Sequence, residues 1–221
     1  MADYSIWILG ESNVSITGGV TLDGITQGDG SHLVGNFLTI NSTASTEVFI
    51  SDAGSETNFS DNDSGQRLDG AQTIDGVVYA NNTQIEAEYQ FVLSDDATGI
   101  QYTALAVNVV NSSPAYGTNE ALAFVGTAPP SGVSLRVVSA SEGPPNSGPN
   151  AIDATEIVPI CFCKHTQIHM KDGTQAVEKL KSGDLVLRAD GSFAKVRKVF
   201  QTKLERKDLD QQPKLRPVRI T

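Results

Sequence analysis

Two stretches decide the fold of most of the chain: Gln84-Ile-Glu-Ala-Glu-Tyr-Gln-Phe-Val-Leu93 and Gln101-Tyr-Thr-Ala-Leu-Ala-Val-Asn-Val-Val110. Both show the period-two alternation and β-branched enrichment of a β-strand. Shorter stretches of the same kind flank them, separated by turns rich in Gly, Asn, Asp and Ser at intervals of about ten residues. No helical stripe competes with this pattern. We therefore predict that residues 1–140 form an acidic all-β domain, antiparallel and sandwich-like.

Residues 141–156 are predicted to be an extended, exposed linker, because this stretch is rich in Gly, Pro, Ser and Asn. The charge balance changes sign directly after it. Residues 1–156 hold 2 basic and 19 acidic residues, which gives 2 − 19 = −17, whereas residues 157–221 hold 14 basic and 7 acidic residues, which gives 14 − 7 = +7. Such a sharp segregation of charge indicates two modules. We therefore predict a second, β-rich domain at residues 157–221.

The acidic domain lacks the positive patch that nucleic acid or an anionic membrane requires. No apolar run is long enough to span a membrane, and the N-terminus has neither the basic region nor the long apolar region of a Sec-type signal peptide. We expect no nucleic-acid partner and no membrane span, and we favour an extracellular or cell-surface location, reached by a non-Sec route, over the cytoplasm. Self-association or a protein partner is the interaction that we expect.

The densest cluster of reactive side chains is Cys161-Phe162-Cys163-Lys164-His165. A cysteine at the start of a module can attack the carbonyl before it, and the basic neighbours favour the reactive thiolate. Local chemistry alone favours a different interpretation, in which both cysteines are small apolar residues of a buried strand. A zinc site made with His169 is a third alternative, but the spacing is not that of structural zinc.

The motifs of this segment resemble the N-terminal block of Hint (Hedgehog/intein) domains, most closely those of alphaproteobacteria. The resemblance rests on six elements in order: Ile160-Cys161-Phe162, Thr166-x-Ile168, the turn Asp172-Gly173, Val177-Glu178-x-Leu180-x-x-Gly183-Asp184-x-Val186-Leu187, the predicted hairpin turn Asp190-Gly191 and Arg216-Pro-Val-Arg-Ile220. Three motifs of the acidic domain also resemble what precedes Hint in such proteins: Leu22-Asp-Gly24, Glu86-Ala-Glu-Tyr89 and Ser139-Ala-Ser-Glu-Gly143. The resemblance implies a self-processing domain of β-structure.

In that family the first cysteine performs an N-to-S acyl shift, so the resemblance assigns Cys161 as the nucleophile at the Ile160–Cys161 bond. A Thr and a His from a later block then polarise the amide and protonate its nitrogen. That block is absent before Thr221. We therefore expect a C-terminally truncated Hint domain that is inactive as this chain alone, with autocatalytic cleavage as the only enzymatic activity. The alternative is a non-enzymatic extracellular, envelope or phage-surface protein with a structural or binding role.

One acidic loop, Ser60-Asp-Asn-Asp-Ser-Gly65, places carboxylates at alternate positions before a glycine, as loops that bind Ca²⁺ do. The sequence therefore offers Asp61 and Asp63 as metal ligands. The competing interpretation is a hairpin turn without metal, because Asp, Asn and Gly form turns by themselves. We expect no required cofactor, with Ca²⁺ as the one candidate ion.

Overall fold

The chain divides into two units, Met1–Ile160 and Cys161–Thr221. A computed structural model describes residues 2–24, 28–109, 114–157, 166–187, 191–196 and 199. Within this part, the regular structure consists of β-strands and short 3-10 turns, and no helix is long and apolar enough to cross a membrane. The 3-10 turns are Glu11–Asn13, Thr17–Gly19, Ser31–Leu33, Ala115–Gly117, Ala154–Glu156 and Val177–Lys179.

The first unit is built on one nine-stranded antiparallel sheet and a separate hairpin. Its strands are β1 (Ala2–Gly10), β2 (Val14–Ile16), β3 (Phe37–Ile40), β4 (Thr46–Asp52), β5 (Gln66–Leu68), β6 (Gln72–Ile74), β7 (Val77–Tyr79), β8 (Ile85–Ser94), β9 (Gln101–Val109), β10 (Ala121–Val125) and β11 (Ser134–Glu142). The sheet order is β2-β3-β11-β8-β9-β10-β1-β4-β5, and β6 pairs with β7. The prediction of an all-β, antiparallel fold is confirmed.

Both faces of the central strands are buried. On β9, Leu105 and Val107 belong to one apolar cluster, whereas Ala104 and Ala106 belong to a second cluster. Successive side chains of a strand point to opposite faces, so the two clusters cover the two faces of the same sheet. Neither face is solvated there, which explains why the alternation in residues 101–110 is interrupted by the four successive apolar residues of 104–107.

The segment predicted as a linker is partly integrated into the first unit. Strand β11 continues to Glu142, and Ile152, Ala154 and Ile157 are buried in one of the apolar clusters. Backbone hydrogen bonds tie the segment down, from the Phe59 N–H to the Ile152 oxygen at 2.9 Å and from the Ala154 N–H to the Thr57 oxygen at 2.8 Å. The apolar side chains at its end anchor it, although its prolines keep it out of a regular sheet.

The second unit contains a four-stranded antiparallel sheet in the order β13-β12-β14-β15. Its strands are β12 (Gln167–Met170), β13 (Gly173–Ala176), β14 (Leu185–Leu187) and β15 (Phe193–Lys195). Strands β12 and β13 form the hairpin that the turn Lys171-Asp172-Gly173 indicates, with Met170 opposite Gly173. Strand β14 pairs with β15, as the predicted turn at Asp190-Gly191 requires, although Asp190 itself lies outside the described residues.

Candidate functional site

The loop between β4 and β5 is held in place by side chain–backbone hydrogen bonds. The buried Gln66 side chain accepts from the Ser60 N–H at 2.9 Å and donates to the Ser60 oxygen at 2.8 Å. The same oxygen accepts from the Ala87 N–H of β8 at 3.0 Å, and the Asp61 N–H donates to the Pro144 oxygen at 2.9 Å. Asp61 is thereby fixed between β8 and the segment that follows β11.

Strand β8 carries a β-bulge at Glu88. Ala87 is opposite Val107 and Tyr89 is opposite Ala106, so β8 uses one more residue than β9 over this interval. A bulge of this kind adds an unpaired residue and re-aims the side chains around it. Ala87 belongs to one apolar cluster and Tyr89 to the other, so the face to which the apolar side chains point changes across Glu88.

The loop and the bulge bring together three carboxylates, those of Asp61, Glu86 and Glu88. One oxygen atom from each lies within 4.8 Å of the others. Glu86 is 4% exposed, Glu88 is 7% exposed and Asp61 is half-buried. Glu86 accepts a hydrogen bond from the Gln84 side-chain amide at 3.1 Å. We call these three residues the carboxylate cluster.

Two glycines allow the backbone to approach the carboxylate cluster closely. A side-chain carbon at Gly143 would overlap the carbonyl oxygen of Ala87 and would lie 2.5 Å from the Asp61 Cβ. A side-chain carbon at Gly28 would overlap the Glu88 carboxylate. Any side chain at either position would therefore displace the cluster or its walls.

The carboxylates of the cluster are desolvated and repel one another. Burial raises the pKa of the Glu88 carboxyl to about 7, and the neighbouring carboxylates add to the rise. Burial likewise raises the pKa of the Asp61 carboxyl to about 7, with contributions from Glu86 and Glu142. Burial is also the main cause of the raised pKa of Glu86. The cluster therefore holds its full negative charge only at a cost in stability.

A surface depression of about 390 Å³ lies beside Asp61, the member of the cluster that lines it. Its lining combines Asp61 and Asn62 with residues 143–146, the segment that follows β11. Asn62 adopts a left-handed backbone conformation, with a φ of 57°, which turns the loop at the mouth of the depression. A small solute can therefore reach Asp61 from solvent.

Of the two ligands suggested by the sequence, only Asp61 lies in the carboxylate cluster. The Asp63 carboxylate accepts from the Gly65 N–H at 2.8 Å, the contact of an Asx turn. Glu86 and Glu88 were not among the ligands predicted from the sequence. The available signal was a pair of acidic residues inside a strand that otherwise reads as apolar, because buried charges are rare unless they are paired or bind an ion.

A second acidic depression, of about 230 Å³, is lined by Glu11, Asp23, Asp75 and Glu120 together with apolar residues. Each of these carboxylates accepts from a backbone N–H: that of Leu22 for Glu11 (3.2 Å), Asn119 for Asp23 (2.9 Å), Ser12 for Asp75 (2.9 Å) and Val109 for Glu120 (2.8 Å). Donors of this kind stabilise a carboxylate without an added ion. This depression therefore has its own compensation for negative charge.

The predicted nucleophile, Cys161, lies outside the described residues, as do Ile160, Cys163, Lys164 and His165. The nearest described histidine is His169, which is exposed on β12 and paired with Thr174 across the hairpin. The placement of the thiol relative to the carbonyl therefore stays a prediction from sequence.

Comparison with known families concerns the same C-terminal part of the chain. Residues 160–221 match the family model described as a Hint domain. No curated protein and no solved structure matches the chain. The match agrees with the resemblance drawn from the motifs and supports a Hint domain at residues 160–221, which follow the nine-stranded β unit in the sequence.

Proposed function

We propose that the Hint domain is a self-processing module that acts on the peptide bond between Ile160 and Cys161. One observation supports this proposal: the matched region begins at residue 160, directly beside the cysteine that the sequence motifs assign as the nucleophile. The boundary between the two units falls between the same two residues. Cleavage at this boundary would release the β unit from the Hint domain.

The chemistry is an N-to-S acyl shift. The Cys161 thiolate attacks the carbonyl carbon of Ile160, a carbon–sulfur bond forms, and the carbon–nitrogen bond of the amide breaks. The released amine of Cys161 takes up a proton. The product is a thioester between the Ile160 carbonyl carbon and the Cys161 sulfur, with a free amine on Cys161. An external thiol can then exchange with the thioester and release residues 1–160.

Incubation of the purified chain with dithiothreitol tests this proposal. Without an added nucleophile we expect no cleavage, in keeping with the prediction that the chain alone is inactive. With dithiothreitol we expect a fragment that ends at Ile160, measured by intact mass, and no such fragment from a Cys161→Ala variant. Cleavage at another bond, or equal cleavage in Cys161→Ala, contradicts the assignment of the nucleophile. Cys163→Ala is the matched control, because it removes the neighbouring thiol and leaves Cys161 in place.

A second candidate function is a non-enzymatic structural or binding role for the N-terminal unit. The observation in its favour is that this unit has its own buried clusters on both faces of its sheet and a strongly acidic composition. Such a domain can act without any chemistry at Cys161. This function predicts a chain that stays intact under thiols, together with self-association or binding of a partner, which sedimentation of the purified protein can measure.

A further inference from the structure

The carboxylate cluster differs from the other acidic sites of the first unit in one respect. Glu88 is 7% exposed, and its carboxylate accepts no hydrogen bond within the part of the chain that the structure describes. The carboxylates of the second acidic depression, in contrast, each have a backbone donor. A buried carboxylate without a donor is expensive to maintain, so an external partner is expected for it.

Neither arginine of the first unit acts as that partner. Residues 1–156 contain only two Arg and Lys residues, Arg67 and Arg136. Arg67 donates to the Asn82 oxygen at 3.1 Å, and Arg136 pairs with Asp96 at 2.9 Å. Within the first unit, compensation of the charge in the cluster is therefore left to a proton or to a cation from solution.

The three side chains offer oxygen atoms only, which suits a hard cation rather than zinc or copper. Ca²⁺ binds oxygen at about 2.3–2.6 Å, so two of its ligand atoms can stand up to about 5 Å apart. The oxygen atoms of the cluster, within 4.8 Å of one another, fit this span. The depression beside Asp61 leaves room for the waters that complete the coordination of Ca²⁺.

We propose that Asp61, Glu86 and Glu88 form a Ca²⁺ site, in which the ion enters through the depression beside Asp61 and binds the otherwise unpartnered Glu88 carboxylate. The site joins the loop before β5 to strand β8, so the bound ion would cross-link two parts of the first unit that are distant in sequence. This site is independent of the proposed self-processing at Cys161, and either can fail without the other.

Calorimetric titration of the metal-free 221-residue protein with CaCl₂ tests the site. We expect one ion to bind per chain, with MgCl₂ binding at least tenfold more weakly because Mg²⁺ gives up its water reluctantly. Glu88→Gln and Asp61→Asn should each weaken Ca²⁺ binding at least tenfold. Both substitutions keep the shape of the side chain, and the melting temperature of each variant in EDTA reports whether it is folded.

Glu11→Gln is the matched control, because it removes an acid of the second depression and should leave Ca²⁺ binding unchanged. Absence of Ca²⁺ binding at millimolar concentrations to the folded wild-type protein would overturn the proposal and leave protons as the compensating charge. Binding that survives in both Glu88→Gln and Asp61→Asn, or that is lost in Glu11→Gln, would overturn the assignment of the ligands.

Discussion

Replacing Glu88 by Gln should change how the stability of the first unit depends on pH. The pKa of the Glu88 carboxyl is raised from an ordinary value of 4.5 to about 7 in the folded protein, mainly by burial. Between these two values the folded state binds a proton that the unfolded state has released. The contribution of this group to stability is therefore fully present below about pH 4.5 and is lost as the pH rises through about 7.

The size of the effect follows from the shift. One pKa unit corresponds to about 1.4 kcal/mol, so a rise from 4.5 to about 7 gives about 3 kcal/mol over the whole range. Between pH 5 and pH 8 the wild-type protein should lose about 2 kcal/mol of unfolding free energy through this carboxyl. Gln has no titrating group, so the Glu88→Gln variant should lack this loss and should be more stable than wild type at pH 8.

Urea unfolding in EDTA, followed by the fluorescence of Trp7, measures this difference, because Trp7 lies on β1 of the first unit and is the only tryptophan of the chain. Glu47→Gln is the control, since Glu47 lies on β4 and does not belong to the carboxylate cluster. An equal loss of stability between pH 5 and pH 8 in wild type and in Glu88→Gln would refute the reasoning that burial holds this carboxyl protonated.

Three further predictions concern stability, and urea midpoints measure each of them. Gly143→Ala should destabilise the first unit by about 2 kcal/mol, because the new methyl group would overlap the Ala87 oxygen; an unchanged midpoint would contradict the close approach. Gln66→Ala should cost about 2–3 kcal/mol, since it leaves the buried Ser60 N–H without a partner and removes the acceptor of the Tyr4 hydroxyl; an unchanged midpoint would contradict this role of Gln66. Asp96→Asn should leave the midpoint almost unchanged, because its pair with Arg136 is exposed; a large loss of stability would show that the pair is coupled to the core.

The class of the fold could be predicted from local patterns, because alternation in residues 84–93 and 101–110 marks strands whatever their neighbours are. The arrangement could not be predicted in the same way. Residues 105 and 106 point to opposite faces of the sheet. Whether both faces are buried depends on segments that are distant in the sequence. The burial of Ile152 and Ile157 was missed for a similar reason, since the many prolines and glycines of that segment dominate its local pattern.

The carboxylate cluster shows where local sequence patterns stop being informative. The loop of alternating acids pointed to Asp61, which does lie in the cluster, but it also pointed to Asp63, which caps a turn. The other two members, Glu86 and Glu88, lie on β8. The bulge at Glu88 and the hydrogen bond from the Ala87 N–H to the Ser60 oxygen bring them close to Asp61. Both features depend on contacts between segments far apart in the sequence, which spacing alone does not reveal.

The central claim about function is that Cys161 forms a thioester with the carbonyl that precedes it. Hydroxylamine attacks thioesters and leaves ordinary amides intact, so tandem mass spectrometry of the treated chain tests this claim most directly. We predict a fragment of residues 1–160 that carries a hydroxamate on Ile160 in the wild-type protein and no such fragment in Cys161→Ala. A wild-type chain that stays whole under hydroxylamine, or a hydroxamate at any other residue, would contradict the claim.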